Sequence, residues 1–161
     1  MILFDFGDPE AATAWQAIDD RVMGGVSRSR LRATDGHAVF EGTVSDRNNG
    51  GFASVRAPVA TSGADELQHL QIEQRGASSL YYVNLRTDLA SDAISYRGEF
   101  SATEGWATLE LPLADFAATF RGRSVRDAPP LEPDAIRQVG LMIAERQLGA
   151  FTLQVRRIAL L

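Results

Sequence analysis

The sequence contains neither cysteine nor lysine. The first absence rules out disulfides, thiolate catalysis and Cys-ligated metals. The second makes all sixteen basic residues arginine. Genomic base composition is the simplest source of that bias, but its consequence is chemical. Every side-chain cation is a planar fork suited to two-pronged contact with a carboxylate or phosphate. Histidine is scarce as well, with only His37 and His69, both at polar strand or edge positions. Two histidines without cysteine make a poor zinc ligand set, and they give a hydroxyl nucleophile little prospect of a base. The G-x-S-x-G nucleophile elbow is missing. So are the G-x-G-x-x-G dinucleotide fingerprint and the phosphate-binding P-loop. No apolar run approaches the roughly 20 residues that span a bilayer. The N-terminus, Met1 to Phe6, has no basic region and meets Asp5 and Asp8 early, unlike a signal peptide. The expectation is a cytoplasmic chain without membrane insertion.

What is present reads as one domain over residues 1–161, with 45% hydrophobic and 23% charged residues, values that suit a single ordinary core. The formal net charge of −5 gives no basic footprint for nucleic acid. Asp8, Pro9 and Glu10 form a helix start, with Asp8 as cap, and Ala11, Ala14, Trp15 and Ile18 extend it for one or two turns. Beyond that point the pattern alternates. Tyr81, Val83 and Leu85 face away from Tyr82, Asn84 and Arg86. Tyr96, Gly98 and Phe100 face away from Ser95, Arg97 and Glu99. About nine or ten such segments separated by turns predict an all-β antiparallel sandwich or jelly roll with one or two short helices. The stretch Arg121 to Asp134, with Pro129, Pro130 and Pro133, reads as a long surface loop.

Few residues assemble into recognisable chemistry. Asp46, Asn48 and Gly50 imitate a calcium loop, but its fifth position is Gly50 and its twelfth is Ala57. Turn chemistry is the simpler reading of Asn48 to Gly51. No cofactor is expected, and a structural calcium held by scattered oxygens is left open. Asp19 and Asp20 are adjacent carboxylates that extended backbone would turn to opposite sides, a poor arrangement for glycoside hydrolysis. The polar face is more informative. Tyr82, Asn84 and Arg86 on one strand, with Arg97 and Glu99 on the next, would offer Arg, amide and aromatic groups to sugar hydroxyls, a carboxylate or a protein edge. An ordinary solvated sheet face would use the same residue types.

Two runs stand out by residue order: Asp19-Asp20-Arg21-Val22-Met23-Gly24-Gly25-Val26-Ser27-Arg28-Ser29, and Asn48-Asn49-Gly50-Gly51-Phe52-Ala53-Ser54-Val55-Arg56. Together with Tyr96 to Phe100, Leu111 to Phe116 and Val139 to Ile143, they resemble the complex I intermediate-associated protein 30 family, as a stand-alone bacterial-type member. The resemblance implies a jelly roll similar to galactose-binding and carbohydrate-binding modules. It also implies a part in assembling respiratory NADH:ubiquinone oxidoreductase. Within the signatures, Asp20 and Arg56 are expected to pair across neighbouring strands, and Met23, Phe52 and Trp106 to lie in the core. The leading functional expectation is a non-catalytic domain that binds a protein partner, an assembly intermediate of that or another membrane complex. Its tentative binding residues are Asp20, Arg56, Tyr82, Asn84, Arg86, Arg97 and Glu99. The alternative is a module that binds a glycan or small polar ligand. An enzyme of unrecognised type would need a deep pocket with perturbed carboxylates.

Overall fold

The computed structural model describes residues 1–20, 24–89, 93–145 and 147–161. Its strands are β1 (Ile2–Asp5), β2 (Gln16–Ala17), β3 (Arg28–Thr34), β4 (His37–Val44), β5 (Ala53–Pro58), β6 (His69–Gly76), β7 (Leu80–Arg86), β8 (Ser95–Ser101), β9 (Ala107–Pro112), β10 (Ala117–Phe120), β11 (Arg123–Ser124), β12 (Gln138–Ile143) and β13 (Gly149–Leu160). They form two antiparallel sheets. One has six strands, ordered β3-β4-β13-β6-β9, with β1 lying along β13. The other has seven, ordered β11-β10-β8-β7-β12-β5-β2. This is a jelly-roll sandwich, in agreement with the alternation of the sequence.

The inward faces carry the apolar residues of that alternation. Phe40 of β4, Tyr81 of β7 and Phe151 of β13 meet between the sheets, with the Phe40 and Phe151 rings 4.9 Å apart. Leu70, Ile72, Val83, Leu85, Leu141, Leu153 and Ile158 fill the space around them, all fully buried. Such burial contributes about 1.5–3 kcal/mol per large side chain. Phe4, Phe6 and Trp15 close one end of the core, with Phe4 and Trp15 at 4.8 Å.

Local chemistry sets the connections. Asp35 and Gly36, at φ 44° and 83°, make a two-residue turn between Thr34 and His37, which pair directly. Positive φ at both central residues is the hairpin geometry that matches strand twist. The expected helix is a single 3-10 turn, Pro9–Ala12, in which Asp8 accepts from the Glu10 amide at 3.0 Å. The proline-rich loop is more ordered than its composition suggested. It contains β11, ends in a 3-10 turn at Pro133–Ala135, and is pinned where the Tyr96 hydroxyl donates to the Pro129 carbonyl at 2.6 Å.

Gly98 shows how the middle motif works. It faces the core, and a Cβ added there would lie 2.6 Å from Cζ of the buried Phe116. The ring rests directly on the strand backbone. Gly98→Ala should therefore cost about 1–3 kcal/mol through overpacking, read as a lower midpoint in urea unfolding with an unchanged m-value.

Candidate functional site

The two signature runs fold against each other through Asp19 and Asp20. Asp20 is fully buried. Its Oδ1 accepts from the Ser27 amide at 2.8 Å, and its Oδ2 from the Ser27 hydroxyl, the Gly51 amide at 2.7 Å and the Phe52 amide at 3.4 Å. Asp19 accepts from the Ser29 amide and hydroxyl and from the Ser54 amide at 2.9 Å. Any Cβ on Gly25 or Gly50 would clash with the Asp20 carboxylate, which explains why glycines stand there. Burial pushes the Asp20 carboxyl up, but the hydrogen bonds from Ser27, Gly51 and Phe52 outweigh it and hold the pKa below its ordinary value. The pair ties the Ser27–Ser29 approach to β3, in one sheet, to β5 in the other.

This corrects three expectations. Asp20 does not pair with Arg56; its acceptor positions are filled by backbone amides and Ser27, so it is a structural clasp and no part of a binding face. Trp106 is not in the core. It is partly exposed on the outside of the six-stranded sheet, where the Arg75 and Arg156 guanidiniums lie 4.7 and 3.9 Å from its ring centre. Phe52 is only half-buried, and Met23 lies outside the described residues.

The other tentative residues do converge, on the outer face of the seven-stranded sheet. Register places Arg97 of β8 opposite Asn84 of β7, Asn84 opposite Gly140 of β12, Gly140 opposite Arg56 of β5, and Arg56 opposite Gln16 of β2. These five lie in one row across five strands. A second row holds Glu99, Tyr82, Met142 and Ser54, and a third holds Arg86, Gln138 and Pro58. The Arg97 guanidinium stacks 4.6 Å over the Tyr82 ring, and its Nε donates to Asn84 Oδ1 at 3.4 Å. The Tyr82 hydroxyl donates to Glu145 at 3.2 Å. Burial, then the Glu145 carboxylate, raises the Tyr82 phenol's pKa, so it stays a neutral donor.

Arg56 and Arg97 are the unusual members. Both are half-buried, and burial lowers the pKa of each guanidinium. Neither forms a salt bridge among the described residues, whereas the exposed Arg30, Arg32 and Arg156 each have a Glu partner. Between the two stands Gly140, buried between the Cβ atoms of Arg56 and Asn84. Alternation along β12 could have indicated Gly140 and Met142, because Val139, Leu141 and Ile143 point inward; reading that segment as a plain apolar run concealed them.

Elsewhere, a cleft of about 640 Å³ lies under the Pro129 to Pro133 strap, with apolar walls from Leu67, Tyr96, Phe116 and Leu131 and a carboxylate at Asp127. No group of three or more His, Asp or Glu side chains suited to a metal occurs among the described residues. Nor is any helix among them long and apolar enough to cross a membrane.

The fold is a β-sandwich similar to those of carbohydrate-binding modules. The family 11 carbohydrate-binding module of the Clostridium thermocellum cellulase Lic26A-Cel5E superposes with a TM-score of 0.76 at 14% identity, covering 100% of this chain and 93% of that one. The same family's module in complex with a β-1,3-1,4-mixed-linked tetrasaccharide superposes at 0.73 and 14% identity, covering 99% and 94%. An exo-β-agarase matches at 0.62 and 10% identity, covering 99% of this chain but 25% of the enzyme. At these identities the likeness is one of fold. In sequence, the family model for complex I intermediate-associated protein 30 matches residues 4–155. The chain belongs to that family. An uncharacterized protein of Schizosaccharomyces pombe is 30% identical, over 86% of this chain and 73% of its own length.

Proposed function

We propose that this chain is a non-catalytic binding domain that holds a protein partner on the outer face of its seven-stranded sheet, in the assembly of complex I or a comparable membrane complex. The observation that carries the reading is the pair of half-buried arginines, Arg56 and Arg97, in one row: among the described residues neither forms a salt bridge, and only the Glu145 carboxylate at the Tyr82 hydroxyl acts on Arg97 from beside the row. Desolvating a cation is costly, so a sandwich that keeps two half-buried guanidiniums on one face has a use for them. Family membership supports the biological setting. The non-catalytic part is supported by the site chemistry: among the described residues of the face the hydroxyl beside a carboxylate is the Tyr82 phenol at Glu145, which burial holds neutral, and the cleft under the strap is mostly apolar, with His69 and Asp127 as its titratable lining residues.

A glycan is the less favoured occupant, although the solved neighbours are carbohydrate-binding modules. Sugar rings stack on exposed aromatic faces, and the aromatic of this platform, Tyr82, is buried with Arg97 over its ring. The test is affinity capture from lysate and solubilised membranes of the source organism, with the Arg56→Gln, Arg97→Gln double variant as control. Recovery of membrane-complex subunits by the wild type, lost with the variant, is the expected result. Equal recovery by both proteins would move the binding surface elsewhere, and recovery of no protein at all would overturn the reading.

A further inference from the structure

The spacing of the two arginines points to a particular ligand, and we infer that the face takes an extended acidic peptide segment running across the strands, with carboxylates at positions i and i+4. The inference rests on the binding-face reading above and sharpens it. Arg97 and Arg56 are separated by three strand steps, from β8 through β7 and β12 to β5. Neighbouring strands lie about 4.8 Å apart, so the two positions are about 14 Å apart along the row. An extended peptide advances about 3.4 Å per residue and returns a side chain to the same face every second residue. Its side chains i and i+4 are therefore also about 14 Å apart.

The row between the arginines suits the same ligand. The side chain at i+2 descends about midway, between Asn84 and Gly140. There Gly140 is buried between Arg56 and Asn84, so only a small i+2 side chain fits, and the Asn84 amide provides a polar contact. Arg97 is held in place by the Tyr82 ring and Asn84 Oδ1, so one guanidinium is oriented before the ligand arrives, and little further ordering is needed on binding. Each arginine can meet a carboxylate through two parallel N–H···O bonds. The chain is acidic overall at −5, yet this row carries cations and neutral groups only. Glu145, bonded to the Tyr82 hydroxyl, and Glu99 in the next row lie beside the Arg97 end, so the row accepts an acidic partner only where its carboxylates meet the two guanidiniums, which favours register over bulk attraction.

The experiment is fluorescence anisotropy of the whole chain with short labelled Gly/Ser peptides. One carries Glu at i and i+4, one carries Gln at both, and one carries Glu at i and i+3. The expected result is binding by the i,i+4 peptide that is at least about tenfold tighter than by either control and that weakens with added salt. Arg56→Gln and Arg97→Gln should each remove about tenfold. Arg28→Gln, an exposed position on the other sheet, should change nothing. Circular dichroism melts of each variant separate lost binding from lost folding. Affinity indifferent to the i,i+4 spacing, or unmoved by the two substitutions, overturns the inference. So does arginine-dependent binding of polygalacturonate in preference to the peptide, which would assign the row to an acidic glycan. If the peptide fails while affinity capture still depends on Arg56 and Arg97, the acidic-segment inference falls and the protein-docking face stands; if both fail, both fall.

Discussion

Asp20→Asn is expected to lower stability by about 3 kcal/mol, because several buried donors converge on one carboxylate and an amide cannot serve them all. With its oxygen toward Gly51, Phe52 and the Ser27 hydroxyl, Asn points an NH2 group at the Ser27 amide; flipped, it points NH2 at the other three. Each unsatisfied buried donor costs about 1–3 kcal/mol. In a chain of 161 residues the loss corresponds to a fall in Tm of roughly 10 °C. The same carboxylate gives a pH signature. Its folded pKa lies below the ordinary value of 3.8, so its contribution is present above that value and is lost as pH falls through the folded pKa. Wild-type stability should therefore decline on acidification below about pH 4, and the Asn variant should decline less steeply over that range. Equal slopes for the two proteins in urea titrations from neutral to acid pH would remove Asp20 from the acid response.

The Arg56→Gln, Arg97→Gln double variant should show the opposite balance. Partner capture is expected to fall by about a hundredfold or more, since each arginine supplies a charge-assisted contact of about 1.5–3 kcal/mol. Stability should stay within about 1 kcal/mol of wild type. Neutralising Arg56 removes a half-buried cation without a carboxylate partner among the described residues, which on its own should stabilise the fold. Neutralising Arg97 also removes its stacking on Tyr82, about 0.5–1 kcal/mol, which offsets part of that gain. Protein that binds poorly and melts normally is the outcome that assigns the arginines to a ligand. A variant that melts well below wild type would instead make them structural.

Fold and site were unequally legible in the sequence. Alternation with a period of two placed Tyr81, Val83 and Leu85 inside and Tyr82, Asn84 and Arg86 outside, because a strand reports its own faces. The neighbouring strand β8 did the same for Arg97. The position of Arg56 in the same row was not legible, because β5 reaches β7 only through β12, a partner from far along the chain, and register across such distances is set by packing. Asp20 misled for a different reason. An acid and an arginine in two signature runs suggest an ion pair, whereas this carboxylate caps the backbone of two loops. The cue was in the spacing of small residues around it: Ser27 and Ser29 at the end of one run, Gly50, Gly51 and Ser54 in the other. Trp106 misled because a large apolar ring suggests core, while its position just before β9 leaves it outside, covered by Arg75 and Arg156.

The long strand β13 has one more consequence. Met1 donates from its amino group to the Leu160 carbonyl at 2.7 Å, and the Leu160 amide returns a bond to the Met1 carbonyl at 2.8 Å. Both ends of the chain thus meet on the six-stranded sheet, facing away from the arginine row. A host loop could carry the domain between two neighbouring residues with almost no spacer, and a circular permutant joined at Met1 and Leu161 and opened at the exposed Asp35–Gly36 turn should fold with the sandwich intact.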